Sequence, residues 1–273
     1  MTAYSSDWLD LRAGADGAAR AEALAARLAA SMAGPCRIVD LGAGSGANAR
    51  HLAPRLAGPQ RWQLVDHDAA LLERARAQCR GLVDGAGRPV AVATTTQDLA
   101  TTANIDFGEA DLVTASALLD LVSERWLGEL VERVHQAGCA ALLVLSYDGR
   151  IEWHPRDSAD AALRTAFNEH QRAQCHFGEP ALGSFAAARA IDAFMRAGYE
   201  VESAPSDWVL DGDHAQLLHA LVDGWVAAAI EQEPASAARF ARWGALRREQ
   251  IAAGGLRATV GHRDLLALPG AQS

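Results

Sequence analysis

The chain has 273 residues, enough for one large domain or two small ones, and 50% of them are apolar against 22% charged, the balance of an ordinary globular protein. No apolar run approaches the roughly 18 residues of a membrane helix, and "MTAYSSDWLDLR" at the start lacks a basic stretch followed by an apolar block, so neither a membrane span nor a signal peptide is expected. The formal net charge is -9 and all 25 basic residues are arginine, which argues against a nucleic acid as the main partner and excludes a Schiff-base lysine, a P-loop lysine and a lysine general base.

The first 33 residues read as one helix, with Leu9, Leu24, Leu28 and Met32 near one face and "AGP" as its stop. A strand over 37–41 follows, then a glycine turn and a helix over 47–56. "RWQLVDHD" is a second strand ending in Asp66, and "AALLERARAQCRGLV" a second helix. "PVAVATTTQDL" is a β-branched third strand, and a fourth lies near 111–114. "SERWLGELVERVHQAG" is a helix with a Ser123 cap and a glycine stop. "CAALLVLSYD" is a continuous apolar run, suited to a strand covered on both faces.

Strand and helix alternate five times, which predicts an α/β, doubly wound, mostly parallel sheet with right-handed crossovers. The rhythm breaks after Tyr147. Residues 149–183 hold a helix over about 157–174 between loops, and 184–210 resume as helix, glycine stop and strand. Two helices over about 213–232 and 235–253 flank Pro234, and "LRATVGHRDLLALP" closes the chain as a last strand. One domain over 1–273 is expected, made of a helical start at 1–34, a lid-like insertion at 149–183 and a helical insertion at 213–253. Cys36, Cys79, Cys139 and Cys175 form no CxxC pair, so free thiols in a reducing cytoplasm are expected, with no structural zinc and no metal.

The turn "GAGSGA" at 42–47 satisfies the loose dinucleotide fingerprint, with Asp66 about twenty residues on as a ribose ligand. Yet Asp40 stands two residues before the first glycine. An acid there is unfavourable beside a pyrophosphate and favourable beside an ammonium or a sulfonium, directly or through a water. The glycines keep their use either way, because close approach of backbone to ligand needs residues without side chains.

"VDLGAGSGAN" resembles motif I, hhDxGxGxG, of the class I S-adenosylmethionine-dependent methyltransferases. The resemblance continues in order through "WQLVDHDAALLERA", "TTQDL" and "ADLVTASALLDLVS". It implies a Rossmann-like, seven-stranded sheet and S-adenosylmethionine as methyl donor. It implies donor contacts at Asp40, Gly42, Ala43, Gly44, Gly46 and Asn48. It places both ribose hydroxyls on Asp66, with His67 beside it. Asp98 and the backbone amide of Leu99 would meet the adenine, and the chain after the fourth strand, at Ala115 and Ser116, would pass the methyl donor. The last two strands of such sheets usually form a direct hairpin, so the two helices expected between strands 6 and 7 depart from the pattern; an acceptor-specific or dimerising device would explain them. Arg12 is a candidate partner for the methionine carboxylate.

Acceptor chemistry in an open parallel sheet belongs at the carboxyl ends of the strands. Asp120, an acid inside an apolar stretch, and Asp148, at the end of strand 5, are candidates there. The segment from 150 to 180 mixes Trp153, His154, Arg156, Asn168, His170, His176 and Phe177. Helical spacing puts His170 on the face of Leu163, Phe167 and Gln174, which makes it a candidate base or a core histidine. Arg239, Arg242, Arg247 and Arg248 are either an anion site or a solvated face. Methyl transfer to a small molecule is the expected function, without a nucleic acid or membrane partner and with a homodimer as one use of the insertions. Its rivals are a protein or RNA methyltransferase, a non-catalytic donor-binding protein, and a nicotinamide-dependent oxidoreductase that tolerates Asp40.

Overall fold

A computed structural model describes residues 6–32, 34–100 and 102–270. Its centre is an eight-stranded sheet. Strands β1 (Cys36–Leu41), β2 (Gln60–Asp66), β3 (Ala91–Thr96), β4 (Leu112–Ser116) and β5 (Ala140–His154) are parallel and lie in the order β3-β2-β1-β4-β5. Strand β8 (Arg257–Pro269) then runs antiparallel between β5 and β6 (Tyr199–Pro205). The expected seventh strand is therefore the eighth. "VESAPSDWVL" divides at Ser206 and Asp207 into β6 and the short β7 (Trp208–Leu210), which pairs with β8 beyond the end of β6. Ser206 N–H bonds to the His262 carbonyl and Asp207 accepts from His262 N–H, so both residues are occupied by β8 at the break.

Helices cover both faces. On one side α5 (Glu124–Ala137) and α7 (Ala186–Arg196) bury Trp126, Leu130, Val134 and Phe194 against β1, β4 and β5. Ser123 caps α5, its Oγ accepting from Trp126 N–H at 3.2 Å, and Gly138 ends it at φ +65°, as the sequence predicts. On the other side α2 (Glu22–Ser31), α3 (Ala47–Leu52) and α4 (Ala69–Gln78) bury Leu28, Leu52 and Leu72 with Trp62.

Two expectations need correction. The helix over 1–33 is two helices, α1 (Ser6–Ala19) and α2, broken at Arg20 and Ala21; residues 1–5 and 33 lie outside the described residues. Alanine-rich sequence favours continuity, but the bonds that Arg20 and Ala21 make to the sheet override it. The insertion at 149–183 also begins as strand. β5 passes two register shifts and continues to His154, with Ile151 and Trp153 buried and Glu152 and His154 exposed, a period-two pattern. This extension of β5, β8 and β7 carries a further core under α6 (Asp160–Ala173), α8 (Ala215–Gln232) and α9 (Ala237–Ala252). Trp153 stands edge-on to Trp225 and Trp243, with ring centroids 5.4 and 5.2 Å away.

Candidate functional site

Strand β1 delivers the glycine turn to the carboxyl edge of the sheet. Gly44 has φ +52° and Gly46 φ +78°, a conformation that strains any other residue. Space is short as well. A Cβ on Gly44 would stand 3.3 Å from Leu9 Cδ1 of α1, and one on Gly46 3.0 Å from Cys79 Sγ of the α4 end. The turn is the floor of a pocket that also takes in the ends of β2 and β4. Leu9, Arg12 and Asp16 of α1 roof it, and His176 and Phe177, from the loop after α6, close one side.

Of the residues singled out in the sequence, Arg12, Gly42, Ala43, Gly44, Asn48, Asp66, His67, Leu99 and Ser116 line this pocket. Asp66 is 5% exposed. Its Oδ2 accepts from Gly44 N–H at 2.8 Å and its Oδ1 from Asp68 N–H at 2.9 Å, so the carboxylate is fixed against the turn. His67 Nδ1 lies 3.2 Å from Oδ1. Leu99 is placed by Trp126, whose Nε1–H donates to the Leu99 carbonyl at 2.6 Å. Gly46 and Ala115, also expected at the donor, are not among the residues that line the pocket. Asp98 is exposed and accepts from Ala100 N–H at 2.8 Å, capping its own turn.

Asp40 does not reach the pocket. It is fully buried behind the turn, and its Oδ1 accepts from Asn48 Nδ2–H at 2.8 Å. Asn48 thus stands between the acid and any ligand, and a direct contact between Asp40 and a cation is not what the geometry offers. Oδ2 has no partner among the described residues, and burial pushes the carboxyl up to about 7. A folded-state value above the unfolded one means stability that is full below about pH 4 and lost as pH rises through 7. Asp40→Asn mimics the neutral acid. It is expected to exceed the wild type in unfolding free energy at pH 8 by up to about 4 kcal/mol, with the gain gone near pH 4. Urea titrations at both pH values read this directly, and an equal difference at both would exclude a proton on Asp40.

The three candidate catalytic residues separate. Asp120 sits in a single turn of 3-10 helix over Leu119–Leu121, and its neighbours Leu118 and Leu121 line the pocket. Its Oδ1 is sealed from solvent without a partner among the described residues, and burial pushes the carboxyl up to about 6. Asp148 is outside the pocket, paired at 2.8 Å with Arg150, which also holds Asp207 at 2.7 Å. His170 is outside it too, bonded to Gln174 at 3.1 Å and 3.2 Å from Glu231. The histidine that α6 does bring to the pocket is His176, on the loop beyond the helix, and burial lowers its pKa. Helical periodicity reads only the helix, so it selected His170; no pattern in "CHFGEP" marks a loop that folds back. Arg20, also missed, is discussed below.

The pocket's charge is informative. Asp16, Asp66 and Asp68 line it against the single guanidinium of Arg12, and Asp16 already holds that guanidinium at 2.9 and 3.0 Å. Two carboxylates therefore remain uncompensated, an environment that repels a diphosphate and attracts an ammonium or sulfonium. Among the described residues no cluster of histidine, cysteine, aspartate and glutamate is arranged to hold a metal, and no helix is long and apolar enough to cross a membrane.

Residues 38–138 match the family model described as a methyltransferase domain. No curated protein matches the sequence significantly. Among solved structures, the chain is similar to a SAM-dependent methyltransferase of Methanosarcina mazei at 12% identity and a TM-score of 0.48, over 89% of this chain and 97% of that one. A SAM-dependent methyltransferase of Geobacter sulfurreducens in complex with S-adenosylhomocysteine matches at 14% and 0.48, over 97% and 99%. A phosphoethanolamine N-methyltransferase of Haemonchus contortus matches at 14% and 0.49, over 98% of this chain and only 58% of that one. None of these likenesses decides an acceptor.

Proposed function

We propose that the chain, whose residues 38–138 match a methyltransferase domain, is a class I S-adenosylmethionine-dependent methyltransferase that acts on a small molecule held beneath α1 and the loop after α6. The observation that carries this is the roofed pocket at the strand ends, closed on the acceptor side by Leu9, Leu118, Leu121 and Phe177. A concave, largely apolar cavity of that kind suits a small ligand.

The residues present fit the donor. The side-chain-free turn under Leu9 admits a close approach, and Asp66 keeps lone pairs for a ribose diol beyond the two amides it accepts. Leu99 and Leu71 would flank its adenine end, and Asn48 and Ser116 its amino acid end. When bound, the donor supplies a methyl carbon already activated by its sulfonium. The chain's own residues align the acceptor, keep water out and take up a proton. Neutral His176 is the proposed proton acceptor in the pocket wall, with Asp120 behind Leu118 and Leu121 as the second. Asp148 and His170 hold structural ion pairs in this proposal. The chain works as one unit, because β5 and β8 run without interruption from the main sheet into the extension.

Calorimetric titration with S-adenosylhomocysteine and NAD, followed by transfer of a labelled methyl group into a mixed extract, tests this. Binding of the homocysteine compound alone, with label recovered in the small-molecule fraction, is the expected result. Label in protein or RNA would overturn the acceptor class. His176→Asn and Asp120→Asn should each keep donor affinity, and at least one should lower turnover by ~10²-fold or more; normal turnover in both removes them as bases.

A further inference from the structure

Arg20 lies at the break between α1 and α2, and its guanidinium turns inward from the junction. One terminal nitrogen donates to Asn48 Oδ1 at 2.8 Å and the other to Ser116 Oγ at 3.1 Å. These acceptors stand on separate elements, the start of α3 and the end of β4, and both line the donor pocket. Asn48 is fixed from its other end as well, its Nδ2–H donating to Asp40 Oδ1 at 2.8 Å and Thr114 Oγ1 at 3.1 Å. Arg20 therefore decides which way the Asn48 amide points.

The junction is pinned a third time. Ala21 N–H donates to Asp264 Oδ2 at 2.9 Å, and Asp264 Oδ1 accepts from Leu145 N–H at 2.7 Å. On the far side of the junction α1 carries Leu9, Arg12 and Asp16 over the pocket. The pocket's roof and two polar groups of its wall thus share one guanidinium. Arg20 Nε is buried without a partner among the described residues. An unpaired buried N–H is costly, a cost set against the two bonds that the same guanidinium makes to the pocket wall.

We propose that Arg20 is a positioning residue that couples the donor pocket to its roof. By orienting Asn48 and Ser116 it prepares the amino acid end of the pocket, and by the same bonds it holds α1 closed. Donor binding at those groups and closure of α1 are then linked, each favouring the other. This rests on the assignment of the donor pocket above.

Arg20→Met keeps the stem and removes the donors; Arg20→Lys keeps the charge and can satisfy one acceptor at a time. S-adenosylhomocysteine affinity, the urea midpoint, and hydrogen exchange of α1 with and without the ligand are read for each. In the wild type the ligand should slow exchange across 6–19. In Arg20→Met affinity should fall about tenfold or more, beyond what any fall in the midpoint accounts for, and the ligand should no longer protect α1. Lysine should restore part of both, and it carries the test should the methionine variant not fold. Wild-type affinity and protection in the variants would overturn the coupling alone, as would a loss of affinity that only tracks a lost midpoint. A wild type that ignores the ligand would instead overturn the donor pocket itself.

Discussion

Asp66→Ala is expected to weaken S-adenosylhomocysteine binding by ~10²–10⁴-fold. The carboxylate is held at the end of β2 by the Gly44 and Asp68 amides and lines the pocket with its remaining lone pairs. Hydrogen bonds to a charged group contribute about 1.5–3 kcal/mol each, and the two ribose hydroxyls assigned to it account for the range. Alanine also releases the Gly44 amide, so the turn loses the contact that orders it. Asp66→Asn separates the two effects: it keeps an acceptor for one amide and loses the charge, and it should fall between alanine and wild type. Calorimetry of the three proteins decides, and unchanged affinity in Asp66→Ala would remove this residue from the donor site.

What the sequence reveals here follows the range of each interaction. The glycine turn, the Ser123 cap and the Gly138 stop are local events, and their residues predict them in place. Asp66 is legible for the same reason, as an acid at a strand end beside a turn. Asp40 shows the limit. Its place two residues before the glycines suggests contact with a cationic ligand, but which neighbour meets its carboxylate depends on Asn48 turning back across eight residues, and that neighbour keeps it out of the pocket. The continuation of β5 past Tyr147 depends on β8, more than a hundred residues away, which pairs with Ile151–His154. The break at Arg20 depends on Asn48, Ser116 and Asp264, on three separate elements. Local helix propensity carries no trace of such partners, so the N-terminal segment reads as one helix and nothing in it marks Arg20.

Arg247→Met is expected to cost about 3–5 kcal/mol of stability, the penalty for breaking a buried ion pair from one side. The four arginines of the second insertion have different surroundings, Arg242 being exposed. Arg239 donates to the Ser158 carbonyl, Arg248 pairs with Asp223, and Arg247 is fully buried. Its guanidinium donates to Asp160, to the Pro155 carbonyl at 2.6 Å and to Gln250 Oε1 at 2.8 Å, and stacks 5.1 Å over Trp243. Asp160 also accepts from Trp243 Nε1–H at 2.7 Å, so α6, α9 and the end of β5 meet at this one pair. Methionine fills much of the volume and leaves the half-buried Asp160 without its counter-charge, held by Trp243 Nε1–H and Asp157 N–H. A fall of roughly 1 M in the urea midpoint is the expected reading. Asp160→Asn combined with Arg247→Met should recover part of it, since the stranded charge is then gone. The consequence for function follows from α6, which anchors the loop bearing His176 and Phe177. Under native conditions Arg247→Met should therefore lower turnover while donor affinity, set at β1, β2 and β4, stays near wild type. A midpoint within the error of wild type would show that the extension's core does not depend on this pair, and an equal loss of donor affinity would show that the two halves of the pocket are not held independently.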